Sequence, residues 1–197
     1  LIFGVVKAGA CVVPLSGLLT EEQIINLANN SKSRCFIADK DFIHLISQDK
    51  NDYLHVSEGN FFFLDHEEAN CGDINKELYK ESREFIYEYD CVSSDNFNII
   101  YSSGTTGLPK GIVQTHRARS HWATSNALEM SFNSFSRALT TTALYSNGTW
   151  LMMLPTIFVG GTLLIMKNFD PVAFIDIVEK ENITHTFLVP PQFGALL

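Results

Sequence analysis

The sequence contains few cysteines, and none of them is paired at a spacing that binds metal. The 197 residues include four cysteines, Cys11, Cys35, Cys71 and Cys91, without a Cys-x-x-Cys pair or a neighbouring histidine cluster. Isolated thiols are typical of proteins in a reducing compartment. The pattern argues against a disulfide framework, a metal site and a catalytic cysteine, and it predicts a cytoplasmic protein.

Basic residues and long hydrophobic runs are also scarce. Lys and Arg number 14 against 22 Asp and Glu, a formal net charge of −8, which disfavours nucleic acid and anionic membrane as partners. The most apolar run, 150–166, is interrupted by Pro155 and Gly160-Gly161. It is shorter than the roughly 20 residues that a bilayer needs, so no membrane anchor is expected. Neither an initiating methionine nor a signal peptide precedes Leu1, so we expect a piece of a longer protein.

What the sequence does contain is an alternation of helical and strand-like segments. Hydrophobic residues make up 46% and charged residues 18%, a balance typical of a globular domain. Thr20 and Gln23 have the spacing of a capping box, and Ile24, Leu27 and Ala28 follow on one helical face. The alternation predicts an α/β fold with mostly parallel sheets flanked by helices.

The other predicted elements follow from apolar periodicity and from Gly, Pro and capping residues. They are a helix over 1–8 ended by Gly9, a buried strand over 11–13, a strand over 34–38, a helix from 39 or 40 to 48, a strand over 61–64, a helix over 116–131, a strand over 138–142, a helix over 149–154, a strand over 161–166, a helix capped by Asp170 with an apolar stripe of Val172, Ile175 and Val178, and a strand over 184–189. The segment 51–94 reads as a solvated excursion, with Glu77, Glu81 and Glu84 at helical spacing.

The most informative segment is 101–111, which reads Tyr-Ser-Ser-Gly-Thr-Thr-Gly-Leu-Pro-Lys-Gly. Glycines let backbone N–H groups approach an anion closely, and Ser and Thr hydroxyls donate to phosphate oxygens. Lys110 adds a compact positive charge, and Arg117 and Arg119 are expected to extend the positive field around the loop. The segment predicts a phosphate site, and a nucleotide is the expected partner.

The pattern differs from a Walker P-loop, because Leu108 and Pro109 separate Lys110 from the second glycine. The β-branched Ile112 and Val113 predict strand, loop, strand in place of strand, loop, helix. The alternative is a flexible Ser/Thr/Gly connection without a ligand.

This segment resembles the phosphate-binding signature of the adenylate-forming (AMP-binding) superfamily, in particular acyl-CoA synthetases of the long-chain-fatty-acid–CoA ligase type. The segments 6–10, 115–117, 184–185 and 189–191 are similar to other parts of that family's sequence. The resemblance implies that residues 1–197 are a fragment of the large N-terminal domain. It also implies that the small C-terminal domain with the catalytic lysine is absent from the chain.

The resemblance assigns chemistry to the loop. In the family the signature holds the β- and γ-phosphates of ATP while a carboxylate attacks the α-phosphorus, which yields an acyl-adenylate and pyrophosphate. The acyl group then passes to CoA as a thioester, and AMP is released. Carried over, the phosphate-binding residues are Ser102, Ser103, Gly104, Thr105, Thr106, Gly107 and Lys110, with Thr106 and Lys110 as the catalytic pair. The implied cofactors and partners are ATP, Mg²⁺, CoA and a small-molecule carboxylic acid.

A second site is implied where many family members carry an aromatic residue followed by His. Here the segment reads Leu-Tyr-Ser-Asn-Gly over 144–148, with Ser146 in place of that His. Tyr145, Asn147 and Trp150 are the candidates for the acid pocket. His116 either hydrogen-bonds near the nucleotide or caps its helix, and the cap is the favoured interpretation. His185 is expected to be a core histidine.

Two other functions stay open. An adenylation domain would load an amino or aryl acid onto a carrier protein in place of CoA. A non-catalytic fragment would keep the loop as scaffold. The fragment alone is expected to be inactive in every case.

Overall fold

A computed structural model describes residues 1–45, 52–64, 71–80, 89–102 and 109–197. The helices are α1 (Ile2–Lys7), α2 (Glu21–Asn30), α3 (Ile74–Lys80), α4 (His116–Glu129), α5 (Asn147–Phe158), α6 (Pro171–Lys180) and α7 (Pro190–Leu196), with 3₁₀ turns at Lys40–Leu45 and Glu58–Asn60. The strands are β1 (Phe36–Asp39), β2 (Phe61–Leu64), β3 (Gly72–Asp73), β4 (Asn96–Ser102), β5 (Lys110–Thr115), β6 (Arg137–Thr140), β7 (Thr162–Ile165) and β8 (His185–Phe187). The chain divides into two compact units, one of Leu1–Pro14 with Cys91–Leu197 and one of Leu15–Asp90.

The Leu15–Asp90 unit is a parallel sheet with the order β1-β2-β3, packed with helix α2 around one core. The predicted capping box is confirmed, because the Thr20 hydroxyl accepts from the Gln23 amide and the Gln23 side chain accepts from the Thr20 amide. Residues Ile24, Leu27 and Ala28 are buried as expected. The predicted strands at 34–38 and 61–64 are confirmed as β1 and β2, in register at Phe36 and Phe61.

Two expectations for this unit are wrong. The segment 51–94, expected as a solvated excursion, contributes Tyr53, Phe61 and Phe63 to the buried core. The predicted helix up to residue 48 is a 3₁₀ turn over Lys40–Leu45, and 46–48 lie outside the described residues. The turn is interrupted at Phe42, whose φ of −107° is non-helical. Of the three glutamates at helical spacing, Glu77 lies in α3, whereas Glu81 and Glu84 lie outside the described residues.

The other unit contains an antiparallel hairpin and a parallel sheet. Strands β4 and β5 form the hairpin, which confirms the strands predicted before and after the signature loop. Strands β7, β6 and β8 form the parallel sheet in that order, with Ala138 of β6 in register with Leu163 and His185. The strand predicted at 11–13 is reduced to a single bridge between Val12 and Asn98.

Helix α5 is the centre of this unit's core, and it runs further than predicted. Trp150, Met153 and Leu154 on α5 pack with Phe97 of β4 and Ala123 of α4. Pro155 was expected to break the apolar run, but α5 continues through it to Phe158. The helix is buried on most of its circumference, so packing compensates for the hydrogen bond that proline removes. In the described part of the chain, no helix has the length and hydrophobicity that crossing a membrane requires.

The predicted stripe on α6 is wrong. The cap at Asp170 is confirmed, since its carboxylate accepts from the Ala173 amide at 2.7 Å. However, Val172 is 68% and Ile175 55% exposed, and Phe174 is the buried residue. Apolar residues surround most of this helix, so periodicity alone does not identify the packed face.

Candidate functional site

The structure places the two ends of the signature loop opposite each other. Ser102 ends β4, Lys110 begins β5, and the two are cross-strand partners. Both residues are exposed, and neither side chain has a hydrogen-bond or ion-pair partner among the described residues. The other predicted phosphate-binding residues, Ser103, Gly104, Thr105, Thr106 and Gly107, lie outside the described residues. The Ser102 hydroxyl and the Lys110 ammonium group therefore lie on either side of the loop, and no described residue uses their hydrogen-bond donors.

The glycine after Lys110 has a packing role in the hairpin. Gly111 is paired with Tyr101. A Cβ atom at Gly111 would lie 3.1 Å from both the Ile99 methyl and the Tyr101 ring, which is tighter than an ordinary contact of 3.5–4.0 Å. The absence of a side chain lets the Tyr101 ring lie over this strand. Gly111 thus fixes the hairpin directly beside the candidate lysine.

Helix α4 follows the hairpin at once, and its cap differs from the favoured prediction. Thr115 is the N-cap, because its hydroxyl accepts from the Ala118 amide at 3.2 Å. His116 is the first helical residue, and its ring packs edge-on against Phe97 with centroids 5.2 Å apart. The capping role predicted for His116 is therefore wrong, since threonine supplies the acceptor that a helix N-terminus needs.

Near the hairpin lies Arg119, which was predicted to extend the positive field around the loop. It is 2% exposed and lies in the first turn of α4. Its Nε donates to Asn98 Oδ1 at 2.9 Å, and its Nη2 donates to Asn147 Oδ1 at 3.1 Å. One side chain thus joins β4, α4 and α5. By contrast, Arg117 is exposed and donates to the Ser93 hydroxyl at 3.1 Å.

The Arg119 guanidinium lies close to two tryptophans. Its Cζ atom is 5.1 Å from the Trp122 ring centroid and 4.9 Å from the Trp150 ring centroid, within range of cation–π attraction. Burial lowers the pKa of Arg119 from 12.5 to about 10, so the group stays charged at neutral pH. Among the described residues no carboxylate pairs with it, and the Arg119 Nη1 and Asn98 Nδ2 donors have no acceptor.

A sequence signal for this burial does exist. Arg119, Ala123 and Ala127 are spaced by four residues, and all three are buried on one face of α4. A small-residue face at this spacing indicates close packing against another helix. Reading the arginine as part of that face would have predicted a buried cation.

The three acid-pocket candidates lie at the start of α5. Asn147 is its first residue, Tyr145 is half-buried in the preceding turn, and Trp150 is fully buried. The Trp150 Nε1–H donates to the Leu144 carbonyl at 2.8 Å, so this indole is part of the core. Asn147 and Trp150 both contact Arg119. The pocket roles of all three stay predictions.

The departure from the family pattern at Ser146 has a local structural role. Ser146 is the N-cap of α5, and its hydroxyl accepts from the Gly148 amide at 3.3 Å. One turn later, the Thr149 hydroxyl donates to the Ala143 carbonyl at 2.8 Å. These bonds fix the backbone from 143 to 149 against its own helix.

His185 packs against neighbouring residues but is half-buried, so the expected core position is not found. Its ring stacks on Phe132 with centroids 3.8 Å apart, and its Nε2 lies 2.9 Å from the Met130 carbonyl oxygen. Across the described ranges, no group of three His, Cys, Asp or Glu residues is placed to hold a metal ion.

Comparison with known proteins agrees with the signature. Among curated relatives, 4-hydroxybutyrate–CoA ligase 2 of Metallosphaera sedula is 25% identical over 97% of this chain and 36% of its own length. Medium/long-chain-fatty-acid–CoA ligase FadD8 of Mycobacterium tuberculosis is 30% identical over 64% of this chain and 22% of its own length. Gramicidin S synthase 2 of Brevibacillus brevis is 26% identical over 100% of this chain and 4% of its own length. The chain spans 36% or less of each of these relatives.

The fold comparison and the family comparison lead to the same group. The inhibitor-bound N-terminal domain of FACL13 from Mycobacterium tuberculosis matches with a TM-score of 0.87 at 22% identity, over 99% of this chain and 47% of that chain. This likeness confirms the α/β fold with helices flanking mostly parallel sheets. The family model described as AMP-binding enzyme matches residues 1–197. The chain therefore belongs to the AMP-binding enzyme family, as its signature loop predicted.

Proposed function

We propose that these residues form part of the large N-terminal domain of an ATP-dependent acid–thiol ligase. The full-length protein would activate a carboxylic acid to an acyl-adenylate and transfer the acyl group to CoA. A fatty acid is the substrate class we favour, in line with the fatty-acid–CoA ligase among the relatives. The scattered free cysteines support a cytoplasmic site of action.

The observation that carries this proposal is the end of the β4–β5 hairpin where the signature segment joins the two strands. Ser102 and Lys110 face each other across it, both exposed and without partners among the described residues. An exposed lysine next to a hydroxyl offers a charge and a donor to one anion. Formation of an acyl-adenylate requires stabilisation of negative charge on phosphate, because the attacking carboxylate is already ionised at pH 7.

The donor set fits a triphosphate better than it fits a bare metal ion. The described residues supply a hydroxyl and an ammonium group at the loop, but no cluster of carboxylates. Mg²⁺ therefore enters the proposal only as the ion that accompanies ATP. CoA enters as the acyl acceptor in line with CoA ligases among the relatives.

A second candidate function is adenylation for a carrier protein. One relative that matches over the full length of this chain is a gramicidin synthase, and its name does not include CoA. Such a domain would activate an amino or aryl acid by the same phosphate chemistry. A third candidate, a non-catalytic fragment, would leave Lys110 without a ligand to bind.

The test is ATP–pyrophosphate exchange by the full-length protein with fatty, aryl and amino acids, each with and without CoA. We expect exchange with one acid class, and a thioester only when CoA is added. Exchange without any thioester would favour the carrier-protein function. No exchange with any acid would overturn the proposal, and residues 1–197 alone are expected not to turn over.

A variant tests the loop directly. Lys110→Ala should slow acid-dependent exchange at least about a hundredfold, which is the usual effect of removing one group that stabilises transition-state charge. The fold should persist, since Lys110 is exposed and without a partner among the described residues. Lys167→Ala removes another exposed lysine and should leave exchange unchanged. Equal rates in the two variants would show that Lys110 does not act on phosphate.

A further inference from the structure

We propose that Arg119 is a positioning residue, which holds the start of α5 against β4 and so sets the acid pocket. This inference rests on the proposed function, because it names what determines acid binding in that enzyme. Its basis is one buried side chain that bonds two asparagines from different elements. Asn98 lies in β4, and Asn147 is the first residue of α5.

The location of Arg119 is unfavourable for stability, so stability alone does not explain the residue. A cation in the first turn of a helix opposes the helix dipole. A buried charge without a counter-ion also carries a desolvation cost. Within the described part of the chain, Arg119 Nη1 and the Nδ2 donor of its partner Asn98 have no acceptor. An apolar residue would fill this position at less cost.

The arginine fixes the relative positions of the groups that it bonds. The guanidinium is planar and its donors point in fixed directions, so two acceptors are held at a defined separation. The rings of Trp122 and Trp150, at 5.1 and 4.9 Å, restrict the guanidinium further. Asn147 is thereby tied to β4 through a group that has little freedom to move.

The turn before α5 is then held from two sides. From within α5, Thr149 bonds the Ala143 carbonyl and Trp150 bonds the Leu144 carbonyl. From α4, Arg119 bonds the Asn147 side chain. Tyr145 lies between these anchors and is half-buried. A shift of the Asn147 end would move this side chain relative to β4, whereas the β4–β5 hairpin would keep its own pairing.

The test compares Arg119→Met with wild type in the full-length protein. We expect KM for the acid to rise about tenfold while KM for ATP stays within twofold. Asn147→Ala should have a similar effect, and the double variant should be no worse than either single variant. Additive effects, or an unchanged KM for the acid in a folded Arg119→Met protein, would overturn the inference.

A second measurement does not depend on activity. Hydrogen–deuterium exchange of peptides covering 142–149 should be at least about fivefold faster in Arg119→Met. Arg34→Met is the matched control, because Arg34 is exposed and its side chain has no partner among the described residues. Unchanged exchange at 142–149 would refute the holding role even if the enzyme were active. If 142–149 exchanged faster in Arg119→Met while the wild-type protein activated no acid, the holding role would be supported and the proposed function rejected.

Discussion

Tyr53 offers a quantitative test of the core of the Leu15–Asp90 unit. Its side chain is 3% exposed, and its ring packs edge-on against Phe61 and Phe36 at centroid distances of 5.3 and 5.4 Å. Burial, with smaller contributions from the charges of Glu21 and Asp52, raises the pKa of Tyr53 from 10.0 to about 12. The folded chain therefore resists ionisation of this phenol.

The sign and size of the effect on stability follow from that pKa. Below pH 10 the phenol of Tyr53 is protonated in both states, so its contribution is complete. Between pH 10 and 12 the unfolded chain releases the proton and the folded chain retains it, so the free energy of unfolding falls as pH rises. The loss is about 1.4 kcal/mol by pH 11 and about 2.7 kcal/mol once both states are ionised.

The assay is urea unfolding of wild type and Tyr53→Phe from pH 8 to pH 11, followed by circular dichroism. The difference in unfolding free energy between the two proteins cancels all other titrating groups. It should shift by about 1.4 kcal/mol against wild type over this range. Tyr79→Phe is the control, because that ring is 86% exposed. A difference that stays constant with pH would refute the claim that burial perturbs Tyr53.

Two further predictions concern the unit that carries the hairpin, and both use thermal or urea unfolding. Gly148→Ala should lower the free energy of unfolding by about 1–3 kcal/mol, because its Cβ would overlap the Phe187 ring. Gly4→Ala, with open space around the new Cβ, should not lower it. Asp170→Ala should cost about 1 kcal/mol through loss of the α6 cap, whereas Asp176→Ala on the same helix should cost less. Equal values within either pair would contradict the contact in question.

Local signals predicted those parts of the fold that depend on neighbours in sequence. The capping box at Thr20 and the cap at Asp170 each involve residues three apart, and both were predicted. The packed face of α6 was not, because Val172 and Ile175 are as apolar as Phe174 and only tertiary packing selects among them. The extension of α5 through Pro155 also depends on tertiary packing and not on local sequence.

The residues of the candidate site also differ in whether local sequence predicts them. Lys110 and Ser102 were predicted from the signature, and their pairing follows from the strands on either side. Arg119 was predicted to contribute to the positive field around the loop, and its burial was not predicted. Charged residues are rarely buried without a partner. The role of Arg119 depends on Asn98 and Asn147, which lie 21 and 28 residues away along the chain. No local pattern relates three residues at such separations.

Strand β4 links the proposed phosphate site to the proposed acid pocket. Its last residue, Ser102, leads into the proposed phosphate-binding segment, and Asn98, earlier in the same strand, is bonded to Arg119. Transfer between ATP and an acid requires reacting atoms about 3–3.5 Å apart. A single strand that positions the loop directly and the acid pocket through Arg119 would fix the positions of the two substrates relative to each other. Because the hairpin pairing does not involve Arg119, a change at Arg119 should displace the acid and spare ATP.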